Sequence, residues 1–378
     1  MSLRKTLKYI SFSILSVLAF IVIVGLLFIT LSPQFGGTHT EEDIKRYTAS
    51  GHYDEGEFIN LTTTTMDMNM DSIWSTLREF MAGVPNDRPA RNIEVLSMEV
   101  GDVVNNDTLT RVTWFGHSAF LVEMAGKKIL LDPMLGDVPA PHPWLGQSRY
   151  SKELPISIED MPHIDAVFIS HDHYDHLDYE SIEKLKGKVD QYYLPLGVGA
   201  HFRAWGIPEE KIHELNWWDE AELGNIKLAF TPSRHFSGRG LTDRNATLWG
   251  SWVLITEKDR LYFSGDGGYG THFKEIGEKY GPFDLGMMEC GQYNVKWAQI
   301  HMLPEESAQA AVDINAKLMM PIHWGAFTLA LHSWTDPVVR VKKKADELNM
   351  PISTPRIGEP IVLHQEKYPI SSWWENYL

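Results

Sequence analysis

"DAVFISHDHYDHLD", residues 165–178, decides how the rest of the chain is read. A short apolar run of strand length ends at Ser170, and His171, His173, Asp175 and His176 follow at once. Neutral imidazole and carboxylate suit zinc or another first-row divalent ion with open coordination positions. His171 and His173 stand two apart, so in a turn after a strand both rings reach one ion. Asp175 and His176 follow closely enough to face a second ion beside it. A lone His-x-His pair is commonly an incidental surface feature. Three histidines and three aspartates in the eight positions 171–178 are not.

The same punctuation recurs downstream. "IKLAFTPS" (226–233) leads to His235, "DRLYFSGD" (259–266) ends on Asp266, and "AKLMMPIH" (316–323) ends on His323. In layered α/β proteins the carboxyl ends of strands form the open edge where ligands bind, because helices cover the faces. His235, in a polar loop, is the expected third ligand of the first ion. Asp266 has glycine neighbours that let the backbone fold closely, and a carboxylate can bridge two cations; it is expected as the bridge. His323 completes the second ion. Two ions about 3.5–4 Å apart activate a water near neutral pH and stabilise charge on a phosphoryl or acyl oxygen, which is hydrolytic chemistry. No glycine-rich phosphate loop followed by lysine is present, so nucleotide-driven chemistry is not expected.

The chain has 378 residues, with 43% apolar side chains, thirteen Trp and fourteen Tyr, the composition of a well-packed globular protein. A net charge of −16 argues against nucleic acid as a partner, since phosphate backbones call for clustered Lys and Arg. The single cysteine, Cys290, excludes an intramolecular disulfide framework and leaves the compartment open. Tyr9 to Leu31 carries no charged side chain and follows Arg4, Lys5 and Lys8. As a helix it spans about 34 Å, enough for a bilayer core of about 30 Å. A cleaved signal would have an apolar run of about 7–15 residues and a small-x-small site, and "FITLSPQF" offers no clean one. The expectation is an uncleaved, single-pass anchor, with the N-terminus cytoplasmic and the catalytic body on the outer, periplasmic or extracellular, side.

The chain divides into an anchor over 1–31, a linker and irregular extension over 32–92, and a hydrolase domain over 93–378. Within the extension, "MDSIWSTLREFMAG" (70–83) predicts a helix with Ile73, Leu77, Phe80 and Met81 on one face and Gly83 as its stop. From residue 93 onward, short apolar strands alternate with helical segments. The Trp-rich stretches "NWWDE" (216–220), "TLWGSW" (247–252) and "SSWWENYL" (371–378) read first as core and second as a lipid-interface surface.

The set H-x-H-x-D-H at 171–176, then His235, Asp266 and His323, resembles the metallo-β-lactamase superfamily residue by residue. "WFGHSAFLVEMAGKKILLDPML" (114–135), "SRHFSGRGLTDRNATLWGSWVL" (233–254) and "MMPIHWGAFTLALHSW" (319–334) narrow the resemblance to its N-acylphosphatidylethanolamine-hydrolysing phospholipase D branch, over roughly 55–378. The resemblance implies an α/β fold, a four-layer αβ/βα sandwich, preceded here by a transmembrane helix. It implies two zinc ions, with iron or manganese as alternatives, and release of phosphatidic acid from an N-acylated phospholipid. His301 matches a histidine that this branch places beside the metals, for orienting phosphate or protonating the leaving group. Asp132 is expected to orient a ligand from behind, and His117 either does the same or only bonds its own turn. His201 and His332 are expected to be structural, with Asp172 and Asp178 bystanders or supporting groups. Mammalian-type members of the branch are thought of as lacking a spanning helix, which this chain has.

The leading expectation is therefore a membrane-anchored dizinc phosphodiesterase acting on phospholipid. A lactonase or esterase on a soluble substrate uses the same metals. A tethered binding protein with a structural metal is the third reading, and a bridging carboxylate is superfluous to it. Oligomeric state stays open, a homodimer among the options.

Overall fold

The structure is a computed structural model that describes residues 3–66, 69–104, 106 and 108–378. Helix α1 (Leu3–Leu31) contains one segment, Leu7–Leu31, that is long and apolar enough to cross a membrane. Its most apolar stretch buries nothing against the rest of the protein. A single turn over Pro33–Phe35 follows, then α2 (Glu41–Thr48), which Thr40 and Asp43 open with a reciprocal capping box. The two-residue strands β1 (Tyr53–Asp54) and β2 (Glu57–Phe58) pair as a hairpin, and α3 (Met70–Ala82) ends against Gly83.

Besides α3, which the period over 70–83 marks, α2 and the hairpin give the extension over 32–92 local structure. Tyr47 and Phe58 are fully buried in the central core, and their rings lie 5.3 Å apart. The buried positions come singly from a two-turn helix and two-residue strands. No window in the sequence is long enough to show a period.

After α4 (Val100–Val104) come two mixed sheets. The first contains β3 (Arg111–Trp114), β4 (Phe120–Met124), β5 (Lys127–Leu131), β6 (Ile164–Phe168), β7 (Val189–Pro195) and β8 (Ile212–Leu215). The second contains β9 (Glu220–Leu223), β10 (Ile226–Thr231), β11 (Ser251–Ile255), β12 (Arg260–Phe263), β13 (Leu285–Glu289) and β14 (Met319–Ile322). β15 (Pro360–Val362) returns to the first sheet, giving the orders 15-3-4-5-6-7-8 and 14-13-12-11-10-9. Each sheet begins as an antiparallel meander and continues parallel, from β5 in one and from β12 in the other.

Helical crossovers join the parallel strands β6–β7 and β7–β8 through α5 (Tyr179–Leu185) and α6 (Gly199–Ala204), and β12–β13 and β13–β14 through α7 (His272–Tyr280) and α8 (Pro304–Asp313), while α9 (Asp336–Leu348) packs on α8 before β15. Side chains split by strand parity. Phe120, Val122 and Leu131 enter the core between the sheets, whereas Leu121 and Leu130 enter the layer under α5 and α6. Both faces being covered, β4 is buried along its whole length, its one charged side chain, Glu123, paired with Arg111. The sheets meet through Phe120 on Phe263 (6.1 Å) and Phe168 on Trp252 (5.0 Å). The result is the four-layer αβ/βα arrangement. Trp217, Trp249, Trp252, Trp373 and Trp374 are all core residues.

Candidate metal centre

Direction of travel places the chemistry. β5 and β6 are parallel neighbours, so Asp132 just after one and His171 just after the other reach the same edge. β12, β13 and β14 are also parallel neighbours, which brings Asp266, Glu289 and His323 to the facing edge. β10 lies two antiparallel steps from β12 and points the same way, carrying His235 there. β3 bears the same relation to β5 and delivers His117. The two edges are stitched by backbone bonds between the His117 and His323 turns: His117 N–H donates to Trp324 O and His323 N–H to His117 O, both at 3.0 Å.

Two clusters of ligand atoms result. In one, His173 Nδ1 lies 2.9 Å from His171 Nε2 and 3.3 Å from His235 Nε2. In the other, Asp175 Oδ2 is 2.9 Å from His117 Nε2, 3.5 Å from His176 Nε2 and 3.9 Å from His323 Nε2. Asp266 stands between them. Its Oδ2 is 3.8 Å from His171 Nε2, 4.0 Å from His235 Nε2 and 3.1 Å from His176 Nε2, and its Oδ1 is 3.1 Å from His323 Nδ1. Both clusters are groups of buried His and Asp that can hold a metal ion. Among the described residues, His176 Nε2 and Asp266 Oδ1 are buried with no hydrogen-bond partner, because their close contacts are poorly aligned. A buried polar atom without a partner is costly, and two of them aimed into a ring of nitrogens and oxygens suit divalent cations.

The supports behind these atoms fix which ring nitrogen faces inward. His235 Nδ1–H donates to Ile300 O (2.8 Å), leaving Nε2 for the cluster. Asp132, fully buried, accepts from Ser170 N (2.7 Å) and meets His176 Nδ1 at 2.7 Å, so His176 presents Nε2. His117, His323 and Asp132 all have left-handed backbone, with φ of 56°, 66° and 38°. Side-chain-bearing residues adopt that region at about 1–3 kcal/mol each, tolerated where the surroundings over-determine them. Gly265 (φ 56°) has no such alternative, since a Cβ there would sit 2.7 Å from Gly250 O.

Asp172 and Asp178 point elsewhere. Asp172 accepts from Gly238 N (2.8 Å) and pairs with His201 at 3.3 Å, and Asp178 caps α5 through Ser181 N. His201 also accepts from Gly37 N (3.1 Å), and His332 lies on Tyr293 with rings 4.4 Å apart.

Electrostatics differ from atom to atom. Burial, then neighbouring imidazoles, holds His171 and His235 well below the usual histidine range and His173 down at about 4. For His176, burial acts downward, but Asp266 and Asp175 overcome it and raise the ring well above that range. The same carboxylate pull is available to a divalent cation. Burial pushes Asp266 up to about 6, with His176 acting against it.

One residue escaped the sequence reading. Glu289, at the end of β13, is fully buried, and burial raises its carboxyl well above the usual range. Its Oε1 meets His301 Nδ1 at 2.5 Å, and its Oε2 accepts from Gly267 N (3.1 Å) and Met302 N (3.3 Å). The available signal was its position: "LGMME" is a fifth apolar run ending on a carboxylate. His301, His323, Asp266, Asp175 and His173 open into a pocket of about 340 Å³ that Met66, Phe236, Trp297, Ile300 and Leu329 line together with Gln292 and Lys296.

Comparison with known proteins agrees with this geometry. Residues 127–324, just over half of the chain, match the Beta-lactamase superfamily domain. An uncharacterized protein of Mycobacterium tuberculosis is 38% identical over 338 residues, 86% of this chain and 87% of the relative. The N-acyl-phosphatidylethanolamine-hydrolyzing phospholipase D 1 of Caenorhabditis elegans is 34% identical over 247 residues, 62% of this chain and 69% of the relative. Among solved structures, the metallo hydrolase Igni18 of Ignicoccus hospitalis superposes with a TM-score of 0.51 at 21% identity, covering 68% of this chain and all of that one. The paired mixed sheets, the His and Asp clusters at their shared edge and these matches make the chain a metal-dependent hydrolase belonging to the metallo-β-lactamase superfamily.

Proposed function

We propose that the chain is a membrane-anchored dinuclear zinc phosphodiesterase of phospholipase D type, cleaving an N-acylated glycerophospholipid to phosphatidic acid. The observation that carries the reading is the pocket: Asp266, with His173, Asp175 and His323 of the two ligand clusters, lines it beside the apolar Met66, Phe236, Trp297, Ile300 and Leu329, with Gln292 and Lys296 among its polar residues. Such a pocket suits a substrate with a phosphodiester between lipid chains. The similarity to the Caenorhabditis elegans phospholipase supports the same class.

His171, His173 and His235 would hold one ion, Asp175, His176 and His323 the other, and Asp266 both. Divalent ions bound there supply Lewis acidity and lower the pKa of water. The remaining work falls to the chain. Ile300 O and Asp132 keep the ring nitrogens of His235 and His176 turned inward. His117, which meets Asp175 at 2.9 Å, holds that carboxylate in place. Glu289 engages His301 Nδ1, leaving Nε2 as the ring nitrogen for the pocket, where it delivers a proton to the departing alkoxide. The basic residues before α1 put the catalytic body on the outer side of the membrane.

Metal analysis of the purified full chain, together with incubation on N-acylphosphatidylethanolamine, tests the reading. Zinc near two equivalents, with phosphatidic acid and N-acylethanolamine by mass spectrometry, is the expected result. Metal-loaded protein that opens lactones and yields no phosphatidic acid would sink it.

A further inference from the structure

We infer that α3 is a second membrane-contacting element, lying on the bilayer surface beside the mouth of the metal pocket with its apolar face in the lipid. The inference rests on reading α1 as the membrane span. At 100° per residue, Met70, Ile73, Trp74, Leu77, Phe80 and Met81 fall within an arc of about 120°. An apolar stripe of that width ordinarily faces a core. Here it faces out: no residue of α3 is buried, and Phe80 and Met81 are 67% and 69% exposed. The opposite arc is the one fastened to the protein. Ser75 Oγ, Thr76 Oγ1 and Glu79 Oε1 accept from Lys296 Nζ at 3.0, 3.0 and 2.9 Å.

Lipid is the occupant because of where that fastening lies. Lys296 and its neighbour Trp297 line the rim of the metal pocket. His173 lines the same pocket, and its neighbour Tyr174 packs on Phe35 (6.4 Å), just past the end of α1. Phe28, in the last turns of α1, meets Trp144 (5.9 Å), itself 67% exposed. The chain after α1 is gripped rather than loose: Arg239 donates to Gln34 O and Trp205 Nε1–H to Pro33 O, both at 2.8 Å. The body is therefore held at the membrane end of α1 beside Tyr174, the neighbour of pocket residue His173, and α3 is fastened to Lys296 of that same pocket. An exposed apolar helix of 13 residues, about 20 Å long, is the form of an interfacial helix. Docked there, α3 opens the pocket onto the lipid that the proposed reaction uses.

The test uses the full chain in phosphatidylcholine–phosphatidylglycerol vesicles with an environment-sensitive fluorophore on single engineered cysteines. Cys290 is fully buried and stays unlabelled. Labels at Leu77→Cys and Phe80→Cys should shift to the blue and lose at least half their emission to nitroxide-bearing lipids, as should Leu18→Cys within α1. Glu347→Cys, exposed on α9, should do neither. Aqueous spectra at 77 and 80 with a quenched label at 18 overturn the inference alone. An unquenched label at 18 overturns the anchor and the inference together. Blue-shifted labels at 77 and 80 that lipid nitroxides leave bright, and that depend on protein concentration, assign the face to a second copy and also overturn it. None of these readouts needs turnover, so a failed phosphodiesterase assay leaves the test standing.

Discussion

The two halves of the metal centre are built from different chemistry. His171, His173 and His235 form an all-imidazole cluster whose rings are held neutral by burial and by one another. Asp175, His176, His323 and His117 form a mixed cluster in which two carboxylates pull His176 above its ordinary range. The first half offers lone pairs with no compensating charge, and the second offers charge. Asp266 reaches into both, at 3.8 Å to His171 and 3.1 Å to His176. Six consecutive residues therefore feed two unlike environments, and the difference comes from what packs behind each side chain.

The most severe way to break this pairing is Asp266→Asn, which removes the shared charge. Turnover should fall by about 10³-fold or more, with metal content dropping below two equivalents while the circular dichroism spectrum is unchanged. Activity within tenfold of the parent would show that the halves do not depend on a shared carboxylate. His235→Gln strikes the imidazole half alone. Turnover should drop by about 10²-fold, and elemental analysis should still find about one equivalent of metal. Loss of both ions would mean that the halves fill only together.

Asp132→Asn acts on the mixed half from behind, by loosening His176. Metal affinity there should weaken by about 10–100-fold, read by chelator competition, while the imidazole half keeps its ion. The smallest effect belongs to Glu289→Gln. The variant should keep both metals and its KM, and kcat should fall by about tenfold, because His301 loses its fixed orientation. A change in metal content instead would move Glu289 from supporting His301 to supporting the ions.

Much of this centre was legible in residue order. Strand-like runs ending on His171, His235, Asp266 and His323 could be read directly, since strand length and apolar content are local properties. The helix predicted from Ile73, Leu77, Phe80 and Met81 runs Met70–Ala82 and stops at Gly83, a conformation with φ of 71° that suits glycine. The apolar run before Glu289 marks a strand end but not its role, because its partners are Gly267, Met302 and His301, drawn from other loops. The order within 32–92 is hidden for a related reason. Its buried aromatic residues Tyr47 and Phe58 gain their partners only when the hairpin folds onto the central core.

The sequence by itself determined the ligand types, their order at strand ends and the apolar length of α1. All of these depend on chemistry and spacing within a few residues. Tertiary structure alone decided that the His117 and His323–Trp324 turns share a pair of backbone hydrogen bonds and that Asp266 stands between two unlike clusters. It also turned the apolar face of α3 outward, where the period alone pointed to a core. Hydrophobic spacing says that a face must be covered. What covers it is set by the packing of elements far apart in the chain.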